Sequence, residues 1–311
     1  MKELVKFSGP SYPEDEIEIL YAIFKGCRFI CNYCFAYDNS KRDTDLQTQY
    51  KIIDVFFRLK KPFRIYLWGG EPTEYEHIHD VIEYIFSKPS QYFKGVEVQT
   101  NLDIAPDDLQ TYCKYDNFKM STSIHINFLK RDSITDIVNK LDILYDNNIL
   151  NRVDFMLSHD NSDEHRKFND ILKTKKYFDL VEYTYNYMEI NPEDTYTGAY
   201  NTYEQYRDLY KDKTQHSFTL EYDDGTKEIC SMSDLFPRTL SFKGWECSAG
   251  KTCMSVEHNG DWAVCNVKKY KGRMMGNILT SPSRWLSQTR VPFKCDEDKC
   301  DGCWIQKRVR V

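Results

Sequence analysis

The stretch GCRFICNYCF, residues 26–35, holds three cysteines spaced C-x3-C-x2-C: Cys27, Cys31 and Cys34. Thiolates are soft ligands that suit zinc and iron–sulfur clusters. Three of them leave a tetrahedral zinc one ligand short. The next histidines in the chain, His77 and His79, fall in a helical pattern and read as surface residues. A disulfide would leave one thiol over. An iron–sulfur cluster on three thiolates would leave one iron open to an outside ligand. The spacing by itself leaves all three readings open.

A second group lies near the other end: Cys247, Cys253, Cys265, Cys295, Cys300 and Cys303. Cys300 and Cys303 form a C-x2-C clip. Cys247 and Cys265 bracket an expected hairpin with Asn259-Gly260 at its turn. Four thiolates from a hairpin and a distant clip can enclose a cluster, and zinc accepts the same arrangement. Of the eleven cysteines, Cys113 and Cys230 stand alone and read as small buried hydrophobes.

The elements that must position these groups follow from hydrophobic periodicity. Residues 17–24, IEILYAIF, predict a strand that runs straight into the first cysteine loop. Residues 45–60 carry Leu46, Ile52, Ile53, Phe56, Phe57 and Leu59 at helical spacing, and Pro62 marks a break. FRIYLW, residues 63–68, is a second strand ending in GGEP. The alternation then continues, with a Pro-led helix at PDDLQTYCKY and Ser133 as the N-cap of another. Six strands and five intervening helices are expected by residue 190. Regular βα alternation predicts a parallel sheet with right-handed crossovers. Six units suggest a partial barrel; a doubly wound sheet is the competing architecture. Beyond residue 190 the pattern breaks into a Tyr-rich polar stretch with a helix near 201–211, then a hairpin turning at Asp224-Gly225.

The motif WGGEP, residues 68–72, sits at the end of the second strand. Ligands of parallel α/β sheets bind at the carboxyl ends of strands. Two glycines there let backbone approach a small molecule closely.

Composition narrows the partners. The chain has 311 residues, a net charge of −6, and 23 Tyr and 18 Phe that read as core packing. The negative balance disfavours a broad grip on nucleic acid. The KRVR run at 307–310 reads as a solvated charge run, with phosphate contact as the alternative. No apolar run reaches the roughly 18 residues of a membrane span, and the MKELVKFSGP start has no apolar signal core. The expectation is a cytoplasmic protein with reduced thiols, no membrane partner, and metal rather than disulfides at the clustered cysteines.

CRFICNYC at 27–34 together with GGEP at 69–72 resembles the radical S-adenosylmethionine (SAM) superfamily. The resemblance implies a partial (β/α)6 TIM-like barrel and a [4Fe–4S] cluster on Cys27, Cys31 and Cys34. Its open iron would be chelated by the amine and carboxylate of SAM. Reductive cleavage would then yield a 5′-deoxyadenosyl radical that abstracts a substrate hydrogen. Carried over residue by residue, Tyr33 would pack the adenine, and Gly69 and Gly70 would bind the SAM amino group. Glu71 would support that loop, while Asn101 and Ser123 would lie near SAM. Where many relatives read S-x-D-G, this chain reads Ser123-Ile124-His125-Ile126.

CSAG from Cys247, the step from Gly260 to Cys265, GNI at 276–278 and the closing clip resemble the SPASM and Twitch extensions. That resemblance implies a small cysteine-rich β-hairpin domain with one auxiliary [4Fe–4S] cluster on Cys247, Cys265, Cys300 and Cys303. Cys253 and Cys295 are spares or substitutes, and two clusters are the alternative. The implied organisation is an N-terminal segment (1–16), a barrel (17–190), a connector with helix and hairpin (191–243) and an auxiliary-cluster domain (244–311).

Relatives with such modules often oxidatively modify peptides or proteins, by crosslinking, epimerisation or side-chain oxidation; others act on small molecules or nucleotides. An external one-electron reductant is implied in either case. With 26 residues before Cys27, a leader-binding domain is not expected there, and a separate substrate-presenting protein could supply it. A noncatalytic iron–sulfur or zinc protein is the remaining alternative. Substrate-side candidates at strand ends are His125, Ser158, His159, Tyr185 and Tyr187.

Overall fold

The computed structural model describes residues 2–9, 15–31, 34, 45–129, 132–158, 162–185, 205–206, 208–209, 218–230, 241–297 and 308–310. Strands β1 (Leu4–Ser8) and β2 (Ile17–Phe24) precede the first cysteine loop. Then follow α1 (Leu46–Phe56), β3 (Phe63–Gly69), α2 (Ile78–Ser87), β4 (Phe93–Thr100), α3 (Pro106–Tyr112) and β5 (Phe118–Ile124). After these come α4 (Ile134–Asp146), β6 (Leu150–Leu157), α5 (Ser162–Lys173) and β7 (Val181–Tyr185). The six expected strands and five helices are all present.

Local chemistry starts and stops these helices. Asp45 caps α1 by accepting the Thr48 N–H at 3.0 Å. Ser133 and Asp136 form a capping box on α4: Asp136 N donates to Ser133 Oγ, and Ser133 N donates to the Asp136 carboxylate at 2.8 Å. Asn148 ends that helix in the left-handed region, with φ of 56°.

Strands β2 to β7 lie side by side in chain order and pair in parallel. A doubly wound sheet reverses its strand order partway. This order never reverses, so right-handed crossovers put the helices on one face. The helix-side strand residues, among them Ile65, Leu67, Val96, Val98, Met120 and Phe155, are fully buried against Ile53, Phe56, Val81, Ile85 and Leu141. Each such side chain contributes about 1.5–3 kcal/mol through burial. No described helix is long and apolar enough to cross a membrane.

The later strands are β8 (Phe218–Tyr222), β9 (Lys227–Cys230), β10 (Glu246–Cys247) and β11 (Cys253–Glu257). They are followed by β12 (Asp261–Ala263), β13 (Gly276–Asn277), β14 (Phe293–Lys294) and β15 (Arg308–Val309). Both expected hairpins form, with Gly225 at φ of 80° and Gly260 at 88° in their turns. The pairing of β11 differs from a free-standing hairpin: it joins β2 in parallel, from Glu18 against Cys253 to Ala22 against Glu257. Among the described residues the large sheet therefore has nine strands, in the order β13-β12-β11-β2-β3-β4-β5-β6-β7.

A second, antiparallel sheet has the order β14-β10-β15-β1-β8-β9 and encloses Phe7, Phe218, Leu220, Phe242 and Trp245. Strand β1 pairs with β8 and β15, and β2 pairs with β11. Within the KRVR run, Arg308 and Val309 form β15, between β1 and β10, and Arg310 is exposed. Most of the helix expected near 201–211 lies outside the described residues. Cys230 is buried at the end of β9, beside Phe218 of β8, and Cys113 is half-buried with its thiol on the Leu109 carbonyl at 3.7 Å.

Candidate active site

The first cysteine loop lies directly on the end of β3. Gly70 N donates to Phe24 O at 2.7 Å, and Glu71 N donates to Gly26 O at 2.8 Å. A Cβ on Gly69 would stand 2.1 Å from Phe24 O, and one on Gly70 would stand 2.1 Å from Gly26 O. The two glycines are therefore required by the chain's own backbone. The atoms nearest these positions belong to the end of β2 and to the start of the loop that carries Cys27.

Glu71 then ties this corner to β4. Its buried carboxylate accepts from Asn101 N at 2.6 Å, Thr73 Oγ1 at 2.6 Å and Thr73 N at 3.1 Å. Burial raises its pKa, against the pull of those hydrogen bonds. Asn101 carries the tie onward, with Nδ2 at 3.7 Å from Cys27 Sγ. Burial pushes the Cys27 thiol up to about 12; the Phe29 backbone opposes this, while Glu71 and Glu74 add to it. Cys31 and Cys34 are half-buried, and Cys34 N donates to Cys31 O at 3.0 Å.

Between the cysteines, Arg28 reaches out to both neighbouring loops. Its backbone N–H donates to Glu74 Oε1 at 3.0 Å, and its Nε lies 3.1 Å from the same oxygen. Phe29 is buried and meets the His125 ring edge-on, at 6.2 Å between centroids. Burial pushes His125 down to about 4, so its ring is neutral at pH 7.

The sheet face opposite the helices is polar. Tyr66 on β3 donates to Gln99 Oε1 on β4, and Gln99 Nε2 donates to Ser123 Oγ on β5 at 2.6 Å and to Asp154 Oδ2 on β6 at 3.3 Å. Arg152 Nε lies 2.9 Å from Asp154 and 3.9 Å from Glu182 on β7. Ser123 is thus joined to a network spanning five strands. Burial raises the Asp154 pKa, against the pull of Arg152. This network can orient a polar group.

Another charged group bridges the cysteine loop and the C-terminal segment. Glu257, at the end of β11, lies 2.9 Å from Lys269, 3.5 Å from Lys25 and 3.6 Å from His258. The Lys269 ammonium also sits 4.0 Å over the Trp68 ring. Lys269 belongs to the short helix Asn266–Tyr270, whose N-cap is Cys265.

Cys247 is buried in β10, Cys253 is buried in β11, and Cys265 and Cys295 are half-buried. Among the described residues, no three His, Cys, Asp or Glu side chains gather as a single metal ion would require. Tyr33, His159, Tyr187, Cys300 and Cys303 lie outside the described residues, and Tyr185 is the last residue of β7. Ser158 is buried, accepting from Asn127 on its hydroxyl and from Tyr206 OH on its carbonyl at 2.9 Å. His77 meets Asp80 at 3.1 Å and His79 stacks on Tyr112, as expected of residues on a helix surface. Arg28, Glu74 and Asp103, and the set Tyr66, Gln99, Arg152 and Asp154, were missed. The second set had a signal: polar residues alternate with apolar ones in each of these strands, at the period of a strand with two different faces.

A structure of native anSMEcpe with bound AdoMet aligns with a TM-score of 0.58 at 15% identity, covering 88% of this chain and 81% of that one. In fold, the chain is similar to anSMEcpe. Native anSMEcpe with bound AdoMet and Cp18Cys peptide aligns over the same shares, with a TM-score of 0.55 at 13% identity. At these identities the likeness to anSMEcpe is one of fold: a mixed α/β architecture with a large parallel sheet. An uncharacterized protein of Methanocaldococcus jannaschii is 24% identical over 107 residues, which is 34% of this chain and 37% of that protein. The match therefore spans little more than a third of that relative. No protein-family model matches the sequence.

Proposed function

We propose that the chain is a radical SAM enzyme with a partial (β/α)6 barrel. The observation that carries this reading is the Cys27–Cys31–Cys34 loop, fixed by backbone hydrogen bonds on Gly70 and Glu71 at the carboxyl edge of parallel strands. The fold shared with anSMEcpe, whose structure holds AdoMet, supports it. Three thiols on one loop fit a [4Fe–4S] cluster with an open iron, and an amide donor beside Cys27 fits a sulfur that takes on negative charge. When bound, the cluster and SAM supply a 5′-deoxyadenosyl radical that abstracts a hydrogen atom from substrate.

The chain's own residues position and shield. Tyr33, Gly69, Gly70 and Ser123 line the SAM site, and Glu71 holds the β3 and β4 ends together. The polar face from Tyr66 to Asp154 orients the substrate, with His125 beside the cysteine loop. The substrate is a peptide or protein that undergoes oxidative modification; the peptide in one anSMEcpe structure supports that class. Cys247, Cys265, Cys300 and Cys303 would hold one auxiliary cluster, with Cys253 and Cys295 as substitutes; bound there, it would take up the electron that a substrate radical loses on becoming the oxidised product, or brace the fold.

Anaerobically reconstituted protein, reduced with dithionite in the presence of SAM, is expected to release 5′-deoxyadenosine, and a Cys27→Ala variant is not. Intact clusters without 5′-deoxyadenosine, or zinc in place of iron in anaerobically purified protein, would sink the reading. Turnover of a metabolite but of no peptide would overturn the substrate class alone.

A further inference from the structure

We propose that Asn101 is a positioning residue for Cys27, whose side-chain N–H···S hydrogen bond raises the reduction potential of the cluster held there. The inference rests on the radical SAM reading above. The side-chain amide of Asn101 is committed at both ends: Oδ1 accepts from Asp103 N at 2.9 Å, and Nδ2 faces Cys27 Sγ at 3.7 Å. The Asp103 N–H can only donate, so the oxygen must face it and the NH2 must face sulfur. The Asn101 backbone N–H is held as well, by the buried Glu71 carboxylate at 2.6 Å. Asn101 is only 7% exposed, so water competes little for these groups.

The turn that presents Asn101 is held against its own preference. Leu102 has φ of 65°, a left-handed conformation that a branched side chain disfavours. It persists because Lys140 Nζ donates to Leu102 O at 3.2 Å, and Leu102 N donates to Thr100 Oγ1 at 3.0 Å. Hydrogen bonds to ligand sulfur are among the determinants of iron–sulfur potentials. An N–H donor favours the more negative, reduced state, so this contact makes reduction easier.

Asn101→Asp tests the idea, because it keeps the size and the acceptor for Asp103 N–H while removing the donor to sulfur. In reconstituted holoenzyme, the EPR signal that changes on SAM addition reports the cluster on Cys27. With side-chain ¹⁵N-labelled asparagine, the wild type is expected to show ¹⁵N coupling on that signal, and Asn101→Asp to lose it. At a fixed poise, the reduced fraction relative to oxidised should fall by about tenfold, or 59 mV for one electron. Asn101→Ser provides a second, uncharged variant that does not reach Cys27, and the same changes are expected in it. Absence of the coupling in the wild type overturns the proposal, as do a coupling and potential left unchanged in either variant. If intact clusters give no SAM-sensitive signal at all, it is the radical SAM reading that fails.

Discussion

Arg28 and Asp103 clasp each other across the cysteine loop: the guanidinium donates to the Asp103 carbonyl at 3.1 Å and lies 3.4 Å from its carboxylate. The Arg28 side chain is 40% exposed, so these ion pairs contribute about 0–1 kcal/mol each to global stability. Their effect falls on the loop. Arg28→Gln is expected to leave the unfolding midpoint nearly unchanged and to reduce iron loading at Cys27, Cys31 and Cys34 by about fivefold, the equivalent of one kcal/mol. Iron and sulfide per chain after anaerobic reconstitution, beside a urea titration, separate the two effects.

Gly70→Ala should act on folding and site together. Its Cβ would stand 2.1 Å from Gly26 O and 2.6 Å from Lys25 O, and both are backbone atoms. Gly70 is not among the positive-φ glycines, so the penalty is steric. A loss of about 1–3 kcal/mol is expected, read as a lower urea midpoint. An unchanged midpoint would mean the cysteine loop is free to lift away from β3.

Glu257 predicts an acid limb in stability. Burial alone would raise its pKa from 4.5, but His258, Lys269 and Lys25 hold it down to about 2. The ionised carboxylate therefore stabilises the fold fully above pH 4.5, and that contribution drains as pH falls from 4.5 toward 2. At about 1.4 kcal/mol per pH unit the loss is a few kcal/mol at most. Glu257→Gln should flatten this limb, and should be less stable than wild type near neutrality because Lys269 loses its partner. Urea unfolding at about pH 3 and about pH 6 measures both.

His125 predicts a second limb at higher pH. Burial lowers it from 6.5 to about 4, so the unfolded chain takes up a proton that the folded chain refuses. Stability present above pH 6.5 is lost as pH falls from 6.5 to 4. An NMR titration should show the His125 ring neutral at about pH 5.5. A midpoint near 6.5 would mean that the ring is open to water.

The repeating elements were legible because each depends on neighbours in sequence. IEILYAIF, the Ser133 cap and the Asp224-Gly225 turn all formed where local chemistry put them. The placement of β11 was not legible: Cys253 and Glu18 are far apart in the chain, and a short apolar run does not say which edge it will join. The site was legible in part. Cysteine spacing and GGEP marked the corner, but the partners of Glu71 and Asn101 belong to three-dimensional packing. Two glycines in a row look the same whether a ligand or another loop lies against them. The polar face of β4 to β6 is visible as alternation at Glu97, Gln99, Ser121, Ser123, Arg152 and Asp154, but of these the sequence singles out only Ser123.

The parallel pairing of β2 with β11 has a consequence for biosynthesis. β2 is made well before β11, and the edge that β11 covers stays open until residues 253–257 have emerged. At roughly 5–20 residues per second, that interval lasts some tens of seconds. For that time a strand whose eight residues are all buried in the finished protein presents unpaired backbone to its surroundings. A nascent chain that stalls before residue 253 would be held by chaperones or would aggregate through that edge, with the cysteine loop attached to it.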